Sequence, residues 1–79
     1  MTVTVLLFAS YAEQLGANSL TLELPEGAKV EEALSRIQAS AAGRLPPKPM
    51  VAVNQSYAKG SDILRAGDEL AIIPPVAGG

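Results

Sequence analysis

The residues of this chain that could do chemistry lie at its C-terminal end. A proline pair is followed by two uncharged residues and two glycines, in the order Pro74, Pro75, Val76, Ala77, Gly78, Gly79. Because proline fixes φ at about −65° and favours extended conformations before it, the pair should end the preceding strand and begin a stiff, extended arm. Because glycine has no Cβ atom, the tip is the thinnest peptide available. Such a tail suits insertion into the narrow active site of another protein.

The side chains offer few reactive groups. The sequence contains neither cysteine nor histidine, which excludes thiol nucleophiles, thiolate metal sites and the commonest general base. The remaining carboxylates, lysines, serines and tyrosines show no spacing that pairs them. We therefore predict that the chain binds no metal and no cofactor of its own. Any chemistry should use the terminal carboxylate or the residues of a partner.

The composition favours one small soluble domain. The chain has 79 residues, 48% of them hydrophobic, and a formal net charge of −2. No apolar run approaches the ~20 residues that span a bilayer, and the N-terminus lacks a signal-like segment. The weakly acidic balance differs from the basic surface of a nucleic-acid-binding protein. We therefore expect a cytoplasmic protein that binds neither membranes nor nucleic acids.

Four segments predict β-strands. Residues 2–9 are apolar on both alternating faces beyond two threonines, so we expect a central strand that is covered on both sides. Residues 19–24 alternate leucine with polar residues, which is typical of a half-buried strand near the edge of a sheet. Residues 50–53 and 69–73 are short apolar strands, the second of them apolar enough to be central.

Two helices are also predicted. Ser10 and Glu13 have the spacing of a capping box, so a short helix should begin at Ser10. A longer helix should follow the turn at residues 25–27, with one apolar stripe at intervals of three and four. The stripe consists of Val30, Ala33, Leu34, Ile37 and Ala41. Gly43 should close this helix, and residues 44–49 should form a proline-rich surface connection or a proline-rich ligand motif.

The order of these elements predicts an α+β roll. The first and last strands are both apolar, so they should lie side by side in the middle of a mixed sheet, with the long helix packed across one face. We expect residues 1–73 to form this domain and residues 74–79 to form a flexible, extended C-terminal tail.

Three parts of the chain resemble a known family. They are the first strand, a turn in the middle and the C-terminal end: Val5-Leu6-Leu7-Phe8-Ala9, Val53-Asn54-Gln55 and residues 64–79 with Gly67-Asp68-Glu69. Over essentially its whole length the chain resembles the MoaD family of ubiquitin-like sulfur carriers, the small subunits of molybdopterin synthase. The ending Pro-Pro-Val-x-Gly-Gly after a Gly-Asp-Glu strand is the most specific feature. The resemblance implies a β-grasp fold.

The resemblance also implies a mechanism centred on Gly79. In this family an ATP-using adenylyltransferase, similar to ubiquitin-activating enzymes, adenylates the terminal glycine. A sulfide equivalent then replaces AMP and leaves a thiocarboxylate, which donates sulfur to a pterin precursor and so forms the molybdopterin dithiolene. Pro75, Val76, Ala77 and Gly78 would be the residues that enter the partner. The implied assembly is a heterotetramer in which two small subunits flank a dimer of large subunits.

By the same resemblance, the large subunit would contact Phe8, Tyr57, Ile73 and Pro74. Aromatic residues are scarce in this chain, so a lone aromatic is a fair candidate for an interface anchor. Phe8 and Ile73 could instead belong to the core, and Tyr57 could be an ordinary surface aromatic. The sequence leaves these alternatives open.

Three other functions also remain open. The first keeps the carrier chemistry but delivers sulfur to thiamine thiazole, to cysteine or to a transfer RNA base. The second is a ubiquitin-like modifier that is joined to protein lysines. The third is a β-grasp binding module with an idle tail.

Overall fold

The sheet of this protein has its first and last strands at the centre. The computed structural model describes residues 1–41 and 49–74. Its elements are β1 (Thr2–Leu7), α1 (Ala9–Leu15), β2 (Ser19–Glu23), α2 (Val30–Ala41), β3 (Met50–Val53), β4 (Ser56–Ala58) and β5 (Glu69–Ile73). The strands lie in the order β2-β1-β5-β3-β4, with β1 and β5 parallel and the other pairs antiparallel. The predicted mixed sheet is confirmed, and so are the adjacent first and last strands and the edge position of β2.

One face of the sheet packs with α2 to form the core. Successive residues of a strand point to opposite faces, and in β1 and β5 every second residue is buried. The buried residues of these two strands are Val3, Val5, Leu7, Leu70 and Ile72. From α2, Val30, Ala33 and Ile37 join the same cluster, as the spacing of the apolar stripe predicts. Glu31 and Glu32 lie in the first turn of α2, where negative charge favours the helix dipole.

The prediction that β1 is covered on both faces is wrong. Thr4 and Leu6, which point away from the core, stay partly exposed. Phe8, directly after the strand, is 46% exposed. The apolar residues on this side of β1 therefore have no second layer of the described chain across them.

The start of α1 also differs from the prediction, because no capping box forms at Ser10. The helix begins at Ala9, directly after β1, and its N-cap residue Phe8 makes no side-chain capping hydrogen bond. Ala9 has a φ of 50°, a left-handed conformation that costs an L-residue about 1–2 kcal/mol. The backbone N–H of Tyr11 donates to the carbonyl of Phe8 at 3.1 Å, and the Tyr11 side chain is buried in the core. Burial of the Tyr11 side chain offsets the free-energy cost of the left-handed conformation of Ala9 and stabilises the sharp turn of the chain from β1 into α1.

Asn54 ties the turn between β3 and β4 to the start of β5. Its backbone N–H donates to the carbonyl of Glu69 at 2.9 Å, and its Oδ1 accepts the N–H of Glu69 at 3.0 Å. Its Nδ2 donates to Oδ1 of Asp68 at 3.0 Å. Asn54 and Gln55 have φ values of 50° and 73°, the sign that a two-residue type I′ hairpin requires. These bonds hold in place Glu69, the first residue of β5.

Replacing Asn54 with alanine should lower the free energy of unfolding by about 2 kcal/mol. The change removes two solvent-exposed side-chain hydrogen bonds, which contribute about 1 kcal/mol together, and forces alanine into a left-handed conformation, which costs about 1 kcal/mol more. Asn54→Gly is the matched control, since glycine loses the same hydrogen bonds without the backbone strain. Equilibrium unfolding in urea measures both variants. If the alanine variant is as stable as the unchanged protein, the hydrogen bonds of Asn54 do not hold β5.

Some of the sequence predictions concern residues outside the described ranges. The helix stop at Gly43 and residues 44–48 of the proline-rich connection lie there, as do residues 75–79. The division into a domain of residues 1–73 and a tail of residues 74–79 therefore stays a prediction. None of the helices in the described ranges is long and apolar enough to cross a membrane.

Candidate functional site

The face of the sheet that points away from the core is the candidate site, and we call it the open face. Its apolar residues come from β1, β3, β4, β5 and the residue after β1: Leu6, Phe8, Met50, Ala52, Tyr57, Ala71 and Ile73. Strand pairing brings them together, because directly opposite residues have their side chains on the same face. Ala71 pairs with Leu6 on one side and with Ala52 on the other. Ala52 in turn pairs with Tyr57.

Three of the four residues predicted to contact a partner line one shallow hollow on the open face. Phe8, Tyr57 and Ile73 surround a volume of about 300 Å³. The lining is completed by Ala52, Gln55 and Ala71. Phe8 is 46% exposed and Tyr57 is 77% exposed, while Ile73 is half-buried. None of the three belongs to the buried core, and a contiguous apolar patch of this kind is characteristic of an interaction surface.

The open face continues to the end of β5 and to Pro74. Ile73 is the last residue of β5, and Pro74, the fourth predicted contact residue, follows it and is half-buried. The residues predicted to enter a partner and to react lie outside the described ranges: Pro75, Val76, Ala77, Gly78 and Gly79. Six extended residues reach at most about 20 Å. A protein that covers the hollow beside Ile73 would therefore lie within reach of the chain end.

The described side chains of the open face offer mainly apolar contact surface. In residues 1–41 and 49–74, no polar or charged side chain is buried. The same ranges hold no cluster of acidic side chains that could bind a metal ion. What the open face can do is bind an apolar surface beside the end of β5.

Leu6 and Met50 are the two largest side chains of the open face that sequence reasoning missed. Met50 pairs with Ile73 across the β3–β5 ladder and is 59% exposed. Both residues belong to runs that are apolar throughout, so their hydrophobicity gives no sign of which face is covered. Their position on the open face is evident only once the pairing of β3 with β5 and of β5 with β1 is known.

The sheet order, with α2 across one face, defines the ubiquitin-like β-grasp class predicted from the sequence. The structure is similar to SAMP1 from Haloferax volcanii, with a TM-score of 0.85, 29% identity and full coverage of both chains. It is similar to a putative molybdopterin converting factor subunit 1 from Pyrococcus furiosus, with a TM-score of 0.84, 26% identity, and coverage of 96% of this chain and 99% of that one. The predicted fold is confirmed.

A third solved structure is a protein–protein complex. It contains subunits 1 and 2 of the molybdopterin-converting factor from Helicobacter pylori, and the matching chain has a TM-score of 0.73, 20% identity and full coverage of both chains. At this identity the likeness concerns the fold alone. It nevertheless places a chain of the same fold in a complex with a second subunit.

The sequence comparisons identify the family. Residues 5–79 match the model of the ThiS family. The molybdopterin synthase sulfur carrier subunit of Chlamydomonas reinhardtii is 41% identical, with full coverage of both chains. That of Arabidopsis thaliana is 35% identical over 98% of this chain and 82% of its own length. The chain belongs to the ThiS family, and the resemblance to small subunits of molybdopterin synthase is confirmed.

Proposed function

We propose that this chain is the sulfur carrier and small subunit of molybdopterin synthase, and that Gly79 is its working residue. The observation that carries the proposal is that the apolar open face adjoins the end of β5, after which the sequence runs through two prolines to two glycines. Two relatives that carry the name of this subunit support it, one matched over its whole length and the other over 82% of its length. The function requires the chain to react at its terminus and to dock through its surface.

The terminal carboxylate must first be activated, because it is an anion at neutral pH and a poor electrophile. We propose that an adenylyltransferase similar to ubiquitin-activating enzymes supplies this step with ATP. An oxygen of the Gly79 carboxylate attacks the α-phosphorus, pyrophosphate leaves, and an acyl adenylate forms. A sulfide equivalent then attacks the carbonyl carbon, the bond to AMP breaks, and a thiocarboxylate remains on Gly79. We also propose a cytoplasmic location, where ATP is available for this step.

The thiocarboxylate sulfur is the nucleophile of the second stage. It attacks a carbon atom of the pterin precursor and displaces an oxygen leaving group, which departs with the electron pair of the broken C–O bond, so that the sulfur joins the Gly79 acyl group to the substrate. Water then cleaves the acyl–sulfur bond, which returns the carboxylate and leaves the sulfur on the pterin. Two such deliveries give the two sulfur atoms of the dithiolene. This chain contributes position, which lowers the barrier by removing the entropy cost of bringing the reactants together.

The open face is the proposed contact with the large subunit. Three of the proposed contact residues line its hollow: Phe8, Tyr57 and Ile73. The fourth, Pro74, directly follows Ile73 at the end of β5. Large exposed aromatic residues are enriched among those that dominate binding energies. A heterotetramer would follow if the large subunit is itself a dimer that binds one carrier on each side.

Mass spectrometry and reconstitution test the proposal together. The chain is expressed with a candidate adenylyltransferase and sulfur donor, and the C-terminal peptide is analysed for exchange of one oxygen for sulfur. The chain that carries the thiocarboxylate is then mixed with the large subunit and the pterin precursor, and dithiolene formation is followed. We expect both signals. A peptide that never gains sulfur would exclude the carrier function, whereas sulfur that passes only to another acceptor would exclude molybdopterin synthase.

Replacing Gly78 with leucine should slow adenylation by at least about tenfold, an effect of about 1.4 kcal/mol. A branched side chain next to the terminus widens the tip that must enter the activating enzyme. Exchange of labelled pyrophosphate into ATP measures the rate, and Gly78→Ala is the control with the smallest added side chain. Adenylation of the leucine variant at the normal rate would contradict the steric argument.

One observation favours a second function, that of a protein modifier. The chain is similar to SAMP1 over its full length, and that protein is called a small archaeal modifier protein. A modifier would form an isopeptide bond between Gly79 and a lysine of another protein. Conjugates that disappear when Gly79 is removed would support this function, and it would not exclude the first.

A further inference from the structure

The two methionines of this chain lie in contrasting environments. Met50 is 59% exposed, whereas Met1 is only partly exposed and packs against the core. The N-terminal amino group of Met1 also donates to the carbonyl of Leu24 at 2.7 Å. An oxidant in solution therefore reaches the sulfur of Met50 more easily than that of Met1.

Met50 lies on the open face, at the point where the chain leaves the sheet. It pairs directly with Ile73 across the β3–β5 ladder, and Ile73 lines the hollow with Phe8 and Tyr57. Because residues that pair directly have their side chains on the same face, Met50 extends this apolar patch toward Pro74. A partner seated on the hollow would meet the Met50 side chain as well.

Oxidation would change this surface from apolar to polar at one point. Hydrogen peroxide transfers one oxygen atom to the thioether sulfur, which is oxidised by two electrons. The O–O bond breaks, the S–O bond forms, and the rest of the peroxide leaves as water. The sulfoxide is a strong hydrogen-bond acceptor on a chiral, polar group. Its burial against an apolar partner without a donor carries the desolvation penalty of an unsatisfied polar group.

We infer that Met50 is a reversible oxidation site at which peroxide weakens docking on the open face. The inference rests on the proposed function, in which the open face binds the large subunit. Met50 carries no role in sulfur chemistry itself, so its oxidation acts on assembly and not on the terminus. Reduction of the sulfoxide by methionine sulfoxide reductases restores the apolar side chain.

The first experiment measures where oxygen is added. The chain that carries no sulfur, and so ends in a carboxylate and not a thiocarboxylate, is treated with limiting hydrogen peroxide. The peptides that contain Met1 and Met50 are then analysed separately. We expect the sulfoxide at Met50 to form several-fold faster than at Met1. Equal rates would overturn the inference, because Met50 would then not be selectively accessible. Peptide analysis is essential, since oxygen addition and oxygen-for-sulfur exchange raise the intact mass by nearly the same amount.

The second experiment measures docking. The affinity of the large subunit is compared for the reduced chain, the oxidised chain, and the oxidised chain after treatment with both sulfoxide reductases. We expect oxidation to weaken binding by at least about tenfold, with recovery after reduction. Met50→Leu is the matched control, since it keeps an apolar side chain without an oxidisable sulfur, and its affinity after peroxide should equal its own affinity before peroxide. Unchanged affinity of the oxidised chain would overturn the inference.

The two proposals fail in different ways. If the reduced chain does not bind the large subunit at all, the proposed partner is wrong. In that case, binding of a fluorescent apolar dye to the folded chain still decides whether oxidation at Met50 alters the open face. Dye fluorescence that falls on oxidation of the unchanged chain, but not of the leucine variant, would support the inference. Identical fluorescence before and after oxidation would overturn it.

Discussion

A chain that lacks Gly79 is expected to lose sulfur transfer completely while its melting temperature stays the same. In the proposed mechanism the reacting atoms belong to the terminal residue, so deletion moves the carboxylate back by one residue and away from both active sites. The loss should be at least about 1,000-fold, which corresponds to ~4 kcal/mol of transition-state stabilisation. Stability should not change because β5 already ends at Ile73. Dithiolene formation with the large subunit and a thermal melt are the two measurements.

A matched control separates position from residue type. Gly79→Ala keeps the length of the tail and the position of the carboxylate but adds a methyl group. If position is decisive, the alanine chain should retain part of its activity whereas the shortened chain retains none. A clear fall in melting temperature on deletion would contradict a terminus that is independent of the fold. Normal sulfur transfer by the shortened chain would exclude Gly79 as the carrier.

The sequence was sufficient to predict the backbone of this fold because its periodic patterns are strong. The apolar stripe of α2 has clear helical spacing, and the fully apolar first and last strands indicated their central positions. The edge position of β2 followed from its alternation of leucine with polar residues. In each case the pattern along one segment was enough, without knowledge of what the segment packs against.

The burial of β1 could not be predicted in the same way. Leu6 and Phe8 are as hydrophobic as a core requires, and hydrophobicity is the same whether a residue is covered by its own chain or by a partner. The distinction depends on which strands pair and on which face α2 covers, and both involve residues far apart in the sequence. The capping box failed for a related reason, since burial of Tyr11 overrides the local preference of Ser10.

The candidate site was predicted residue by residue but not as a surface. Phe8, Tyr57 and Ile73 come from three distant segments, and only the order β1-β5-β3-β4 brings them around one hollow. Their proposed role rested on a family resemblance, which gives positions but not exposure. The structure adds that all three are accessible together, and it adds Leu6 and Met50 to the same face.

A charge at Phe8 should weaken binding of the large subunit by about 100-fold, or ~2.7 kcal/mol, without unfolding the chain. Phe8 is 46% exposed and lines the hollow on the side of the sheet that points away from the core. Aspartate at this position would place an unpaired carboxylate in an apolar interface, where loss of hydration is costly. Titration calorimetry gives the affinity, and circular dichroism during heating reports the fold.

The best control for this substitution is another exposed apolar residue outside the open face. Ile63 is 59% exposed and lies in an isolated bridge with Lys29. Ile63→Asp therefore adds the same charge to an equally accessible site, and it should bind the large subunit normally. If both variants bind equally well, the large subunit docks elsewhere. If Phe8→Asp unfolds the chain while Ile63→Asp does not, Phe8 stabilises the fold. The proposal then depends on binding of the large subunit by Tyr57→Asp. The Tyr57 side chain is 77% exposed, so a charge there does not disturb the core.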